Sequence, residues 1–441
     1  MPQIYKHINM KRVILLSLIS FFVAGSAFSQ AKTDPVKHPN NPNCEQQALG
    51  DFISTITKKQ KPPKPPKTFS ALVLPNISSN PTNGFILGVG GALGWFMGPK
   101  ENTNVSSAPF TVAVTSKSQL ITFVKPNIYT KGNQFYLQGD YRFYIYSQPT
   151  YGLGTNAPDS LKVPSGISWM GEGAGGDSVL FPMKYNFVKI NQIVNKRLIG
   201  ELYAGIGYNL DHYYSIKDEY YQMATDSTPE LNTPHHYYSD TNNFNEDKYT
   251  LSGVSLNVVY DTRDNMINPY EGIYANINYR INPTWMGSDQ VSSSLWLEFR
   301  TYVGLSKKTQ RNVLAFWAFG NFNLAGTLPY LTLPALGDDQ RARSGRGYTN
   351  GRYRGDKMVY AEAEWRFPIS QCSKILGGVL FVNAVTTSNP NTDVKLFQYI
   401  RPAVGFGVRV MVNKYFRTNI NLDFAIGKES KGFYFSGQET F

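Results

Sequence analysis

The chain has 441 residues, of which 17% are charged, 41% hydrophobic and 14% aromatic, with a formal net charge of +12. This much Tyr and Phe argues against disorder. Beyond the N-terminus no run of roughly 18 apolar residues offers a helical membrane span, and two cysteines, Cys44 and Cys372, are too few for a disulfide scaffold.

The chain opens as an export signal. Lys6, Lys11 and Arg12 precede the apolar run Val13 to Gly25, and Ala27-Phe28-Ser29 places small residues at the cleavage positions. Residues 1–29 therefore read as a secretory signal peptide. Residues 30–67 form a Pro/Lys-rich tail, expected to be an extended periplasmic spacer too short to fold alone. Part of the basic excess sits in that tail, and no nucleic-acid motif accompanies it, so nucleic acid is not an expected partner. A Cys44–Cys372 disulfide is allowed by the topology below.

From residue 68 the hydrophobic pattern has period two, which puts alternate residues on opposite faces of a sheet. Strands are predicted over 68–76, 84–96, 108–116, 119–128, 134–147, 178–190, 197–212, 249–260, 272–282, 293–304, 312–323, 357–367, 376–385, 399–411, 416–426 and 432–441. An even count of about 16 suits an antiparallel barrel with both ends on one side. Connections 148–177, 213–248, 324–356 and 386–398 are long and all follow odd strands. Long loops at one end and short turns at the other are the asymmetry of a transmembrane barrel. The predicted fold is all-β: a transmembrane antiparallel barrel over 68–441.

Physics then fixes the orientation. A barrel of this width cannot be filled by its own side chains, so its interior is polar and its outside apolar. Glu201, Glu298, Arg300, Glu362, Glu364, Arg366, Arg409, Arg417 and Asp423 are expected inside. Facing lipid instead, Arg or Lys would cost about 2–4 kcal/mol each near the midplane. The last residues carry Phe433, Phe435 and Phe441, and an aromatic strand ending on Phe resembles the recognition signal of bacterial outer-membrane barrels.

The segment 324–356 contains Arg346-Gly347-Tyr348, and strand 357–367 follows with Glu364-Trp365-Arg366-Phe367-Pro368. Here the sequence resembles the BamA/TamA-type outer-membrane protein assembly family, also called the bacterial surface antigen family. The resemblance implies that this loop folds into the lumen with Arg346, Gly347 and Tyr348 at its tip. It also implies that Arg346 pairs with acids on the next two strands. Glu364 matches the first, beside Arg366. At the second, Asn383 and Val385 stand where the family usually has Asp and Gly. Asn brings no charge, so a weaker second anchor is expected. A second match, Tyr260-Asp261-Thr262-Arg263-Asp264-Asn265 with Pro269 and Gly272, resembles the family's turn between strands 8 and 9. Asp and Asn cap turns, and Pro and Gly set turn dihedrals, so its expected role is structural. Relatives carry N-terminal POTRA domains, where this chain shows only the tail.

Other signals are weak. Gly171–Gly176 fits a dinucleotide glycine pattern but lies in a predicted loop with no helix after it. His235-His236 lacks further ligand spacing. No Ser-centred nucleophile motif appears, so neither enzyme activity, nor a metal, nor a cofactor is expected. The resemblance implies protein insertion or translocation at the bacterial outer membrane. Its expected partners are outer-membrane lipids, client barrels and accessory assembly subunits. A passive pore or surface barrel is the other reading.

Overall fold

The computed structural model describes residues 47–49, then 69–441 except 81–82, 158–160, 163–177, 180, 220, 222, 224, 226–231, 307–308, 340–341, 371–373 and 438. The expected signal peptide, nearly all of the Pro/Lys tail, both cysteines and the Gly171–Gly176 stretch lie outside the described residues.

Sixteen wall positions form one antiparallel barrel. In chain order the strands are β1 (Phe69–Asn80), β2 (Gly84–Trp95), β3 (Ser106–Thr115) and β4, in two segments (Leu120–Val124 and Asn127–Tyr129). They continue with β5 (Phe135–Thr150), β6 (Phe181–Ile199), β7 (Leu202–Asp218), β8 (Tyr249–Asp261) and β9 (Gly272–Asn282). Then come β10 (Ser292–Gly304), β11 (Val313–Ala325), β12 (Lys357–Pro368), β13 (Leu376–Thr387), β14 (Arg401–Asn413), β15 (Thr418–Gly427) and β16 (Ser430–Ser436). Each pairs with its sequence neighbours, and β1 meets β16 to close the ring. The long ladders between neighbouring strands satisfy backbone groups that lipid cannot, and among the described residues the β1–β16 closure is registered at one position. Among the described residues, no helix is long and apolar enough to cross a membrane.

Two predicted boundaries move, each for a physical reason. The strand predicted over 119–128 is broken because Pro126 has no N–H to give the ladder. The turn predicted at 191–196 is wall instead, and the chain reverses at Gly200 and Glu201, with Gly200 at φ +55°. Polar residues there mimic a turn, yet a wet lumen accepts them. Asn195 is fully buried and donates Nδ2–H to the carbonyl of Tyr136 (3.2 Å) and to Oε1 of Gln138 (3.1 Å).

The predicted alternation of faces is observed. Glu298, Arg300, Glu362, Glu364, Arg366, Arg409 and Asp423 are buried inside, whereas Leu198, Ile206, Leu256, Leu297, Trp365 and Ile426 are exposed on the outer surface. Two expectations are corrected. Glu201 and Arg417 lie in turns and not on the inner wall, because the strands that follow them begin later than the polar pattern suggests, at Leu202 and Thr418.

The long loops gather at one end. The loop after β7 holds α1 (Pro234–Thr241), whose first turn is capped by Thr233 Oγ1 accepting from His236 N–H at 3.1 Å. His235 is buried there and His236 meets Glu246 at 2.7 Å. Among the described residues no group of three His, Cys, Asp or Glu is arranged around a metal position. Tyr146, Tyr185, Phe187, Tyr213, Tyr238, Tyr249 and Tyr330 pack into an aromatic roof.

The outer belt yields a first prediction. Leu256→Arg, at a 63% exposed position midway along β8, should cost about 2–4 kcal/mol in lipid. The neighbouring lumen-facing Asn257→Arg should cost less than that. Urea unfolding in lipid vesicles measures both.

Candidate functional site

Residues 326–356, between β11 and β12, fold back into the barrel as a hairpin-like loop. Its two arms are joined by Leu336 N–H to the carbonyl of Tyr353 (2.9 Å) and Gly351 N–H to the carbonyl of Leu336 (2.7 Å). Above, the Tyr330 hydroxyl donates to the Tyr151 carbonyl at 2.6 Å and accepts Tyr151 N–H at 3.2 Å. Arg354 crosses under this point to the carbonyl of Tyr330 at 2.9 Å.

The tip Arg346-Gly347-Tyr348 reaches five consecutive wall strands. Arg346 is 4% exposed. Its Nη1 donates to Asp423 of β15 at 2.7 Å, and its Nη2 donates to Glu362 and Glu364 of β12. The guanidinium also lies 3.5 Å from the ring centroid of Phe381 on β13, a cation–π contact strengthened by exclusion of water. Gly347 N–H donates to the Tyr434 hydroxyl of β16 at 2.9 Å, and the Tyr348 hydroxyl donates to the carbonyl of Pro402 on β14. Gly347 has φ +101°, and a Cβ there would come within 3.1 Å of Ala403 Cβ and 3.2 Å of Gly427 N. Only glycine allows both the conformation and the close approach.

The expected anchors are rearranged. Glu364 pairs with Arg346 and also accepts from Arg366 Nε at 2.7 Å. Asn383 touches the tip as a donor, its Nδ2–H meeting the Arg346 carbonyl at 3.0 Å. It holds the loop backbone and not its charge. The charge expected from that position comes instead from Glu362 and Asp423. Alternation placed both inside, but only the curvature of the wall brings β12 and β15 to one guanidinium.

The network continues. Arg409 bonds Asp423 and, through Nε, Glu439 at 2.8 Å. Glu439 also accepts from Asn419 at 2.8 Å and from Asn421 at 3.4 Å. Arg366 donates to the Phe441 carbonyl at 3.0 Å. The Phe441 ring is buried against Trp317, with centroids 5.4 Å apart. The predicted last strand therefore stops early: β16 ends at Ser436, and 439–441 turn inward. Phe433 remains on the outer face and is 44% exposed, with Phe435 half-buried, while Phe441 belongs to the lumen.

A second attachment was not anticipated. Arg142 of β5 donates to Asp338 at 3.1 Å and to the Asp339 carbonyl at 2.7 Å. The loop thus touches the wall on both sides of the β1–β16 closure.

The turn motif sits at the opposite mouth. Asp261 takes two bonds from the Arg263 guanidinium, at 2.8 and 2.6 Å, one from the Arg263 N–H at 3.2 Å, and another from the Tyr129 hydroxyl at 2.7 Å. Asp264 Oδ1 accepts Tyr270 N–H at 3.0 Å. Pro269 follows, and Gly272 at φ +106° lies where a Cβ would strike the Thr262 carbonyl at 2.4 Å.

A wide transmembrane barrel with an arginine-tipped loop held in its lumen is the class of protein these features define. Residues 102–441 match the Omp85 superfamily domain, and the chain belongs to that superfamily, whose β-barrel members are outer-membrane proteins. In fold it is similar to BamA from Haemophilus ducreyi lacking POTRA domains 1–3. The TM-score is 0.50 at 15% identity, over 84% of this chain and 70% of that one. CdiB from Acinetobacter baumannii aligns at 13% identity and TM-score 0.47, over 84% of this chain and 59% of that one. CdiB from Escherichia coli aligns at 9% and 0.47, over 83% and 60%. No curated protein matches the sequence.

Removing Arg346 would leave three carboxylates facing one another without their shared cation. Loss of one partner from a buried pair costs about 3–5 kcal/mol. Arg346→Ala should therefore lower the heat-modifiability midpoint on gels and expose the 326–356 loop to protease. Arg346→Lys should restore only part of this, since one ammonium cannot repeat the planar fork. Parental protease resistance in Arg346→Ala would contradict the anchoring role.

Proposed function

We propose that this protein inserts or translocates polypeptide at the bacterial outer membrane, using the β1–β16 seam as the opening. Superfamily membership supports the general role. The observation that carries the seam is its register. β1 pairs with β2 over twelve positions, from Phe69↔Trp95 to Asn80↔Gly84. Among the described residues it pairs with β16 at one, Ser79↔Phe433.

The cause is the inward turn after Ser436. Continuing the register of Ser79↔Phe433 would set Asn76 opposite Ser436 and Leu72 opposite Thr440. Instead Glu439 and Phe441 are committed to Arg409, Arg366 and Trp317. Beyond Ser79↔Phe433, no further backbone register between β1 and β16 is seen among the described residues. An unpaired edge is a template for another strand, and strand addition gives affinity through main-chain bonds. A client barrel strand is the partner of matching chemistry, and the surrounding lipid is the destination. Arg346, Glu362, Glu364, Asp423 and Asn383 keep β12 to β16 rigid on one side of the seam while the other side moves. Loop 326–356 occupying the lumen argues for this reading over a passive pore. No covalent step is required.

A disulfide between Ser79→Cys and Phe433→Cys, with Cys44 and Cys372 replaced by serine, tests it. In liposomes the oxidised protein should lose client-barrel insertion, and reductant should restore it. Insertion at the parental rate with the seam stapled would refute the seam.

A further inference from the structure

The β8–β9 turn does more than reverse the chain. Residues 262–271 reach across the short-turn mouth of the barrel. Met266 and Ile267 are buried among Val105, Tyr129, Tyr136, Tyr203 and Phe416. Phe416 lies in the β14–β15 turn, six wall positions away, and Val105 in the β2–β3 turn. Asp264 forms an ion pair with Arg417, and the Arg417 guanidinium lies 4.1 Å from the Tyr270 ring centroid. One turn is thus joined to another across the opening by an apolar contact, an ion pair and a cation–π stack. Above it is a cavity of about 60 Å³, bounded by Ser107, Met266, Tyr274 and Arg300.

We infer that residues 262–271 are a floor that seals the short-turn mouth of the lumen, latched shut by Asp264 and Arg417. A turn needing only to connect two strands would face water with polar residues. Here Met266 and Ile267 are instead spent on residues from turns distant around the ring. A hydrogen-bonded loop frame holds them there: Asn265 Oδ1 accepts N–H from Ile267 at 2.8 Å and from Asn268 at 2.9 Å. The turn keeps its own shape through Asp264 Oδ1, while Asp264 Oδ2 is the atom given to Arg417. Latch and turn can therefore be separated by mutation. The floor does not depend on the seam: it governs passage of water and ions through the lumen, whatever the seam does.

The test places a reporter above the floor. In full-length protein with Cys44 and Cys372 changed to serine, Ser107→Cys puts a thiol in the cavity. A charged maleimide is applied to the protein in lipid nanodiscs, where both mouths are accessible. Arg417→Ala should speed labelling at least tenfold, and Asp264→Asn should speed it too while preserving the turn's backbone bonds. Arg417→Lys should label near the parental rate. Heat-modifiable gel migration identifies folded protein, and only that fraction is scored. Parental labelling rates in both Arg417→Ala and Asp264→Asn would overturn the proposal. So would equal acceleration by Arg417→Lys, since the latch charge would then be irrelevant.

Discussion

A wall of sixteen strands encloses more space than its own side chains can fill. The inner face must also be polar, because the outer face is given over to lipid. These two demands leave a lumen lined with charges that have lost bulk water. Buried ions are tolerated only when paired and hydrogen-bonded. The protein meets this by bringing backbone inward from three places: the 326–356 loop, residues 439–441, and the 262–271 turn. Arg346 is the point where the solution is most concentrated, since one guanidinium meets Glu362, Glu364 and Asp423 together.

Filling the lumen has a cost at the wall. Residues 439–441 cannot both pair with β1 and bond Arg409, Arg366 and Trp317. In this structure residues 439–441 make the luminal contacts, which are charge-assisted hydrogen bonds among buried groups and an aromatic stack. The short β1–β16 register among the described residues and the luminal charge network thus meet at the C-terminal residues. The same network makes the barrel asymmetric. β12 to β16 are tied together through the loop tip, whereas the other side of the seam is tied to the loop at Arg142.

The two mouths are treated differently. At the loop end, tyrosines roof the barrel, with hydroxyls such as that of Tyr330 bonded to loop carbonyls. At the turn end, short connections leave little chain to spare, and the β8–β9 turn packs Met266 and Ile267 against residues of other turns. Its burial of Met266 and Ile267 uses apolar contact where the roof uses aromatic stacking and hydrogen bonds.

Period-two alternation determined the sheet, the strand number and which charges face inward, because lipid outside and water inside impose opposite demands on alternate residues. The parity of loop lengths determined which end carries the long loops, and Arg346-Gly347-Tyr348 with Glu364 pointed to the luminal loop. Local pattern failed where polar residues had two readings. Asn191 to Lys196 resemble a turn but stand in a wet wall, and Arg417 resembles an inner charge but stands in a turn. The sharing of Arg346 by Glu362 and Asp423, the donor role of Asn383, the inward path of Phe441 and the reach of Ile267 to Phe416 were decided only in three dimensions. Each joins residues separated along the chain, and their meeting depends on the curvature of the closed wall, which no local window of sequence contains.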